Sequence, residues 1–143
     1  MLSVVEKVLF LERVDILRDV PTRELAQVAM IATEETYPSG RWILVEGEPS
    51  SALYFILEGR VGFHRGGREV QVAGRLDAFG AWSLLDDEPS VVSARTLSEV
   101  FALRIDREEF LELLPDHVGV TMGVLKAVAR RIRALLPPEK GDA

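Results

Sequence analysis

The residues best placed to meet a ligand lie between Phe79 and Ser93, in the run FGAWSLLDDEPSVVS. An aromatic residue and a glycine lead into a short apolar turn, the acidic run Asp86-Asp87-Glu88 follows, and Pro89 opens a β-branched segment that reads as a strand. Gly80 permits close approach of the backbone, and the free N–H groups of the tiny helix expected after it suit an anion. The same layout also serves as a plain connector between two strands. The three carboxylates are adjacent in one turn and not paired across a cleft, so they read as a solvated loop and not as an acid–base pair. His64 and His117 stand alone and the chain has no cysteine, so no metal site is expected. No serine, histidine and aspartate constellation and no GxxxxGK loop occurs, and no residue is nominated as catalytic.

Composition bounds what these residues can belong to. A chain of 143 residues fits one domain, 1–143. With 48% hydrophobic and 28% charged residues it can build an ordinary core. The 23 acidic against 17 basic residues give a net charge of -6, which repels phosphate backbones and argues against nucleic-acid binding by this chain. One arginine or one turn of backbone N–H groups can still hold a small anion. Absence of cysteine and of a basic-plus-apolar leader points to a reducing, cytoplasmic setting. No apolar run approaches the ~20 residues of a membrane span.

The elements that must position the 79–93 segment follow from periodicity. Residues 3–14 set Val4, Val8 and Leu11 on one stripe with Val5 and Leu9 beside it, which predicts an amphipathic helix. After the connector DILRDV, Pro21 and Thr22 start a second helix with Leu25, Val28, Ala29 and Ala32 at helical spacing, and Asp19 or Thr22 as candidate caps. From 34 to 106 the period falls to about 2, with strands expected at 42–45, 53–57, 61–64, 69–73, 91–96 and 100–105. Gly66-Gly67 reads as a two-residue hairpin turn. Short strands in even steps predict a mainly β architecture, an antiparallel β-roll or jelly-roll barrel.

Two C-terminal helices are expected across 107–136, the first capped by Asp106 and ending near Pro115, the second spanning 116–136. On the second, Val118, Met122, Leu125, Ala129 and Ile132 form a coiled-coil-like seam, while Val124, Val128 and Leu135 widen the apolar face. Such a face suits the chain's own barrel on one side and a second copy on the other, hence a homodimer; a single broad core-facing stripe is the other reading. Arg130, Arg131 and Arg133 are expected to complement the helix dipole. Pro137-Pro138 stops the helix, and 137–143 is a polar tail.

Gly40, Glu46-Gly47, the run Leu53-Tyr54-Phe55-Ile56 closing on Gly59, and Phe79-Gly80 with Leu84-Leu85 occur in an order that resembles the cyclic nucleotide-binding domain family. The resemblance covers about residues 12–135. It implies a β-roll whose 79–92 stretch is the phosphate-binding cassette, with Phe79, Gly80, Ala81, Trp82, Ser83, Ser90, Val91 and Val92 as the nucleotide-facing residues. It also implies a glutamate on the ribose 2′-hydroxyl where this chain has Ala81, and an arginine on the cyclic phosphate where it has Ser90. Charge-assisted hydrogen bonds contribute roughly 1.5 to 3 kcal/mol each, so loss of both weakens binding by about 3 to 5 kcal/mol, some hundred- to several-thousand-fold. Arg95 lies five positions past Ser90, on the opposite face if both belong to one strand, and Arg68 and Arg75 read as solvated strand-end charges. Trp82 is a candidate to cover the emptied pocket.

Two functions are compatible with this pattern. One is a regulatory sensor that takes cAMP, cGMP or another small anion weakly or not at all and moves its C-terminal helices. The other is a non-binding dimerisation or docking module, or the sensor part of a larger regulator or transporter. No resident cofactor is expected, and a catabolite-activator-type transcription factor is expected only if the sequence is a fragment of a longer chain, since the seven residues after Leu136 are too few for a DNA-reading helix-turn-helix.

Overall fold

A computed structural model describes residues 1–137, with Trp82 described through its backbone. Three N-terminal elements come first: helix α1 (Val4–Leu11), a 3-10 turn (Asp15–Leu17) and helix α2 (Thr22–Ile31). Ser3 and Glu6 close a capping box on α1, each side chain accepting the other's backbone N–H at 3.1 and 3.0 Å. The Ser3 N–H holds the Glu6 carboxyl below its usual range. Val8, Phe10 and Leu11 are buried while Val4, Val5 and Leu9 are exposed, so the inward face of α1 lies one step around from the stripe read in the sequence. On α2 the expected Leu25, Val28 and Ala29 are buried, as is Ala32 just after it.

Eight strands follow: β1 (Thr33–Tyr37), β2 (Trp42–Leu44), β3 (Ala52–Glu58), β4 (Val61–Arg65), β5 (Arg68–Ala73), β6 (Ala78–Phe79), β7 (Ser93–Thr96) and β8 (Val100–Asp106). They form two four-stranded antiparallel sheets, ordered β1-β8-β3-β6 and β2-β7-β4-β5, which close on each other as a β-roll. Strand β3 is central to the packing. Ala52, Tyr54 and Ile56 face the space between the sheets, while Leu53 and Phe55 face the helices, so one strand serves two cores. That is why β3 reads as an unbroken apolar run and not as an alternation.

Helix α3 (Ala81–Asp86) sits between β6 and β7, and α4 (Arg107–Leu113), a 3-10 turn (Leu114–Asp116) and α5 (Val118–Leu135) close the described chain. Strand β7 begins at Ser93, so Val91 and Val92 lie in a loop, contrary to the β-branched expectation. Ser90 explains the difference: its N–H donates to Glu48 O at 2.8 Å and its carbonyl accepts from Gly47 N–H, which commits the backbone to the 47–48 turn before β7 can start. The strands β1 and β6 carry no strand signal in the sequence, β1 because TEETY has no apolar alternation and β6 because it is two residues long.

The expected caps are also replaced. Pro21 and Asp106 occupy the N-cap positions of α2 and α4 without a side-chain cap bond. Asp19 instead pairs with Arg130 of α5, and Asp106 pairs with Arg104. Arg130 also donates to Asp15 O at 3.2 Å, and Arg131 lies 4.0 Å from Asp15, so these arginines fasten α5 to the 15–19 segment and do not simply offset the helix dipole. At the other end of α5, Gly119 N–H donates to Glu24 Oε1 at 2.9 Å. The polar tail expected beyond Pro137 lies outside the described residues.

Hydrogen bonding from Arg130 holds the Asp19 carboxyl below its ordinary value of 3.8. Its stabilising effect is therefore full above that pH and is lost as acid carries the solution through the lower folded value. Asp19→Asn should lower the melting temperature at pH 7 and flatten the loss of stability below pH 3.8; an unchanged acid profile in thermal melts would show that the pair does not fasten α5.

Candidate functional site

The 79–92 segment is positioned by β3. Tyr54 pairs with Phe79 across the β3–β6 ladder, their rings stack at 4.9 Å, and the Phe63 ring meets Phe79 edge-on at 5.7 Å. Gly80, with φ of +87°, turns the chain from β6 into α3. A Cβ there would stand 2.5 Å from Ala52 O and 3.1 Å from Ser50 Oγ, so the position requires glycine for packing alone. Ser83 is buried, accepts Ser50 N–H at 2.8 Å and donates to Glu88 O, which folds the acidic turn back on α3. Arg107 Nε donates to Leu84 O at 2.9 Å and so satisfies a carbonyl at the end of α3.

These contacts shape a cavity of about 130 Å³ in front of the turn. Of the expected site residues, Phe79, Gly80, Ser83, Ser90, Val91 and Val92 line it. Ala81 does not: it is buried among Ile16, Leu84 and Leu85 beneath Ala127 and Val128 of α5. The Trp82 side chain lies outside the described structure. The Ser90 hydroxyl donates to Val92 O at 2.7 Å and is already engaged. No lysine or arginine lines this cavity among the described residues; the charged groups on its wall are Asp86 and Glu88. The acidic turn is solvent-exposed, as expected, yet two of its carboxylates also face the cassette.

Arg95, Arg75 and Arg68, the arginines considered from the sequence, do not line this cavity. Arg95 donates to Gly40 O at 3.3 Å and lies over the Trp42 ring at 5.4 Å, on the outer face of the roll. Outward placement was expected from strand alternation with Ser90, but Ser90 is not in that strand, so the cause is the Trp42 and Gly40 contacts. Arg75 is not a free strand-end charge: it donates to Leu57 O at 3.0 Å and covers the Phe10 ring. Arg68 is exposed opposite Arg65 at the Gly66-Gly67 hairpin, whose two-residue turn is as expected.

A larger cavity of about 400 Å³ adjoins the first, with Phe79 and Val92 in the walls of both. Phe63, Val70 and Gln71 line it from the β4–β5 hairpin, Leu76 and Asp77 from the turn before β6, and Asp15 and Arg131 from the helical side. Sequence reasoning missed these residues. A two-residue hairpin turn alone sets Phe63 opposite Val70, but the register shifts between Phe63 and His64, so Gln71 stands opposite Phe63. Nothing in the sequence marks that bulge.

The chain belongs to the cyclic nucleotide-binding domain family: the family's model matches residues 34–117. It is 32% identical over 128 residues to a CRP-like cAMP-activated global transcriptional regulator of Mycobacterium tuberculosis, covering 86% of this chain and 57% of that protein. Among solved structures, the N-terminal domain of a transcriptional regulator from Streptomyces coelicolor A3(2) matches with a TM-score of 0.77 at 28% identity, over 96% of this chain and 99% of that one. The Thermus thermophilus catabolite activator protein matches with a TM-score of 0.73 at 27% identity, over 84% and 59%. The chain thus spans little more than half the length of the Mycobacterium relative. The β-roll with flanking helices expected from the sequence is the fold of this family. Among the described residues, no helix is long and apolar enough to cross a membrane.

Gly80→Ala should destabilise the fold by more than about 1 kcal/mol, because it adds a clash with Ala52 O to the positive φ. Gly47→Ala is the control, with φ of +88° and nothing within 4 Å of the added carbon. Urea unfolding should show the larger loss at Gly80, and equal losses would refute the packing explanation.

Proposed function

We propose that this chain is a regulatory module of the cyclic nucleotide-binding family whose cassette takes cAMP and cGMP weakly or not at all. The observation that carries this reading is the charge of the cassette wall, where Asp86 and Glu88 are the charged groups among the described residues at the place where the family's motif puts a phosphate. Ser90 stands where that motif has arginine, and its hydroxyl is spent on Val92 O. Ala81 stands where the motif has glutamate and is packed beneath α5, facing away from the cassette cavity.

Calorimetric titration with cAMP and cGMP should therefore show no saturation below about millimolar concentration, the level reached when two charge-assisted bonds are missing from a micromolar site. Micromolar binding of either would overturn the reading. Ser90→Arg supplies the phosphate partner and should tighten cAMP binding by at least about tenfold, the lower bound for one charge-assisted hydrogen bond. Ala81→Glu is the less favourable restoration, because it drives a carboxylate into an apolar contact and should lower stability by about 1 to 3 kcal/mol.

The module also presents a surface for a second copy of itself. Val120, Gly123, Val124 and Ala127 of α5 are buried against the chain's own core. The seam residues on the other side are open: Val118 is 68% exposed, Met122 47%, Leu125 55% and Ile132 55%, with Ala129 exposed among them. An apolar stripe at coiled-coil spacing, on a helix whose inner face is already satisfied, fits an antiparallel or parallel partner helix of the same kind. Light scattering should give a dimer mass for the wild type and a monomer mass for Leu125→Glu. A monomeric wild type would refute the homodimer.

A further inference from the structure

We infer that the outer face of the β2-β7-β4-β5 sheet docks an acidic segment of a partner protein, with Trp42 as its anchor. Val61, Phe63, Ala73 and Ala94 fill the interior of the roll, so the alternate residues of these strands face outward. The ladder sets Trp42, Arg95, Gly62 and Val72 in one row across the four strands, with Ser93, His64 and Glu69 in the next. Trp42 is 49% exposed, yet its ring is held on two sides: the Arg95 guanidinium lies over it at 5.4 Å and the His64 ring meets it edge-on at 5.3 Å. A large ring fixed in place and still half open to water loses little freedom when a partner covers it, and tryptophan and arginine are among the residues that carry most of the binding energy at protein interfaces. Val72 in the same row is exposed, as are Val45 and Leu97 just beyond β2 and β7, which adds apolar contact beside the ring. None of the row lines the cassette cavity, so the face is separate from that site.

Charge identifies the partner. Arg65 stands directly opposite Arg68 across the Gly66-Gly67 turn, an arrangement of like charges that costs the hairpin stability. Arg41, Arg65, Arg68 and Arg95 form no ion pair among the described residues. Carboxylates are not scarce: the chain has 23 acidic residues against 17 basic, and Arg104, Arg107 and Arg130 each pair with an aspartate. The nearby Glu46 and Glu69 are turned to other contacts, Glu46 accepting the Gly66 N–H at 3.0 Å and Glu69 lying against Gly62, opposite His64. The surplus positive charge on this face is therefore met by carboxylates from outside. A chain of net charge -6 repels an acidic partner over most of its surface, which steers that partner to the one basic sheet. A phosphate polymer fits less well, because Glu46 and Glu69 lie within the patch and a sugar-phosphate backbone gives the exposed apolar side chains nothing to bury. A peptide supplies carboxylates and apolar side chains together.

The test is fluorescence anisotropy of the full chain with a labelled peptide in which glutamates flank a leucine-phenylalanine pair, beside the same peptide with glutamine in place of glutamate. The glutamate peptide should bind at about 0.1 mM or tighter, and the glutamine peptide at least about tenfold more weakly. Trp42→Ala should weaken the glutamate peptide by about tenfold or more. Arg68→Glu sets an opposite charge across from Arg65, so it should raise the melting temperature of the free chain while weakening the peptide by at least about fivefold. These opposite signs distinguish a docking surface from a structural role, and the variant removes no packed side chain. Absence of saturation by the glutamate peptide up to about 1 mM, or equal binding of the two peptides, would overturn the inference. Arg68→Glu binding the glutamate peptide as tightly as the wild type would refute the role given to the arginines. Tighter binding to phosphatidylserine-containing vesicles than to the peptide, measured by cosedimentation, would put a membrane surface in place of the protein segment and likewise reject it.

Discussion

Burial of β3 on both faces is the constraint from which the rest of the architecture follows. Alternate residues of one strand fill the interior of the roll and the seat of the helices, so neither core can be displaced without the other. Tyr54 carries the stack with Phe79 while its neighbours Leu53 and Phe55 hold the helical layer. The cassette turn is bound to the same strand through the Ala52 carbonyl and Ser50. A turn fixed this closely keeps its shape without help from a bound molecule, which separates the stability of the cassette from its chemistry.

Electrostatics then decide what the preserved shape can hold. Four arginines around the roll are drawn to other acceptors: Arg95 to the Gly40 carbonyl and the Trp42 ring, Arg75 to the Leu57 carbonyl, Arg107 to the end of α3 and Arg130 to Asp15 and Asp19. Among the described residues, the charged groups on the cassette wall are acidic. The scaffold of a phosphate site and the charge of a phosphate site are therefore independent properties.

Much of the fold was legible from the sequence because it depends on local signals. The Gly66-Gly67 turn, the spacing of Leu25, Val28 and Ala29, and the continuous apolar run of β3 each report one element by its own residues. Caps were less legible, since Asp19 and Asp106 have good capping chemistry but find stronger cationic partners that are distant in sequence or across a strand. The strand expected at Val91 and Val92 failed for a related reason: β-branched residues favour a strand, but the bonds between Ser90 and the 47–48 turn come from elsewhere in the chain. Half of the candidate site was visible in the cassette. The other half, with Gln71 and Phe63, depends on a bulge and on docking of the helical segment at Asp15 and Arg131, neither of which leaves a mark in the local pattern.

Gly80 bears on how relatives of this chain are to be read. Because the Ala52 carbonyl excludes any larger residue, selection on folding alone preserves the glycine, whatever becomes of the ligand. Its presence in a cassette records a backbone crossing and carries no information on whether a nucleotide is bound. A lineage can thus lose its second messenger and still keep the most recognisable letter of the motif.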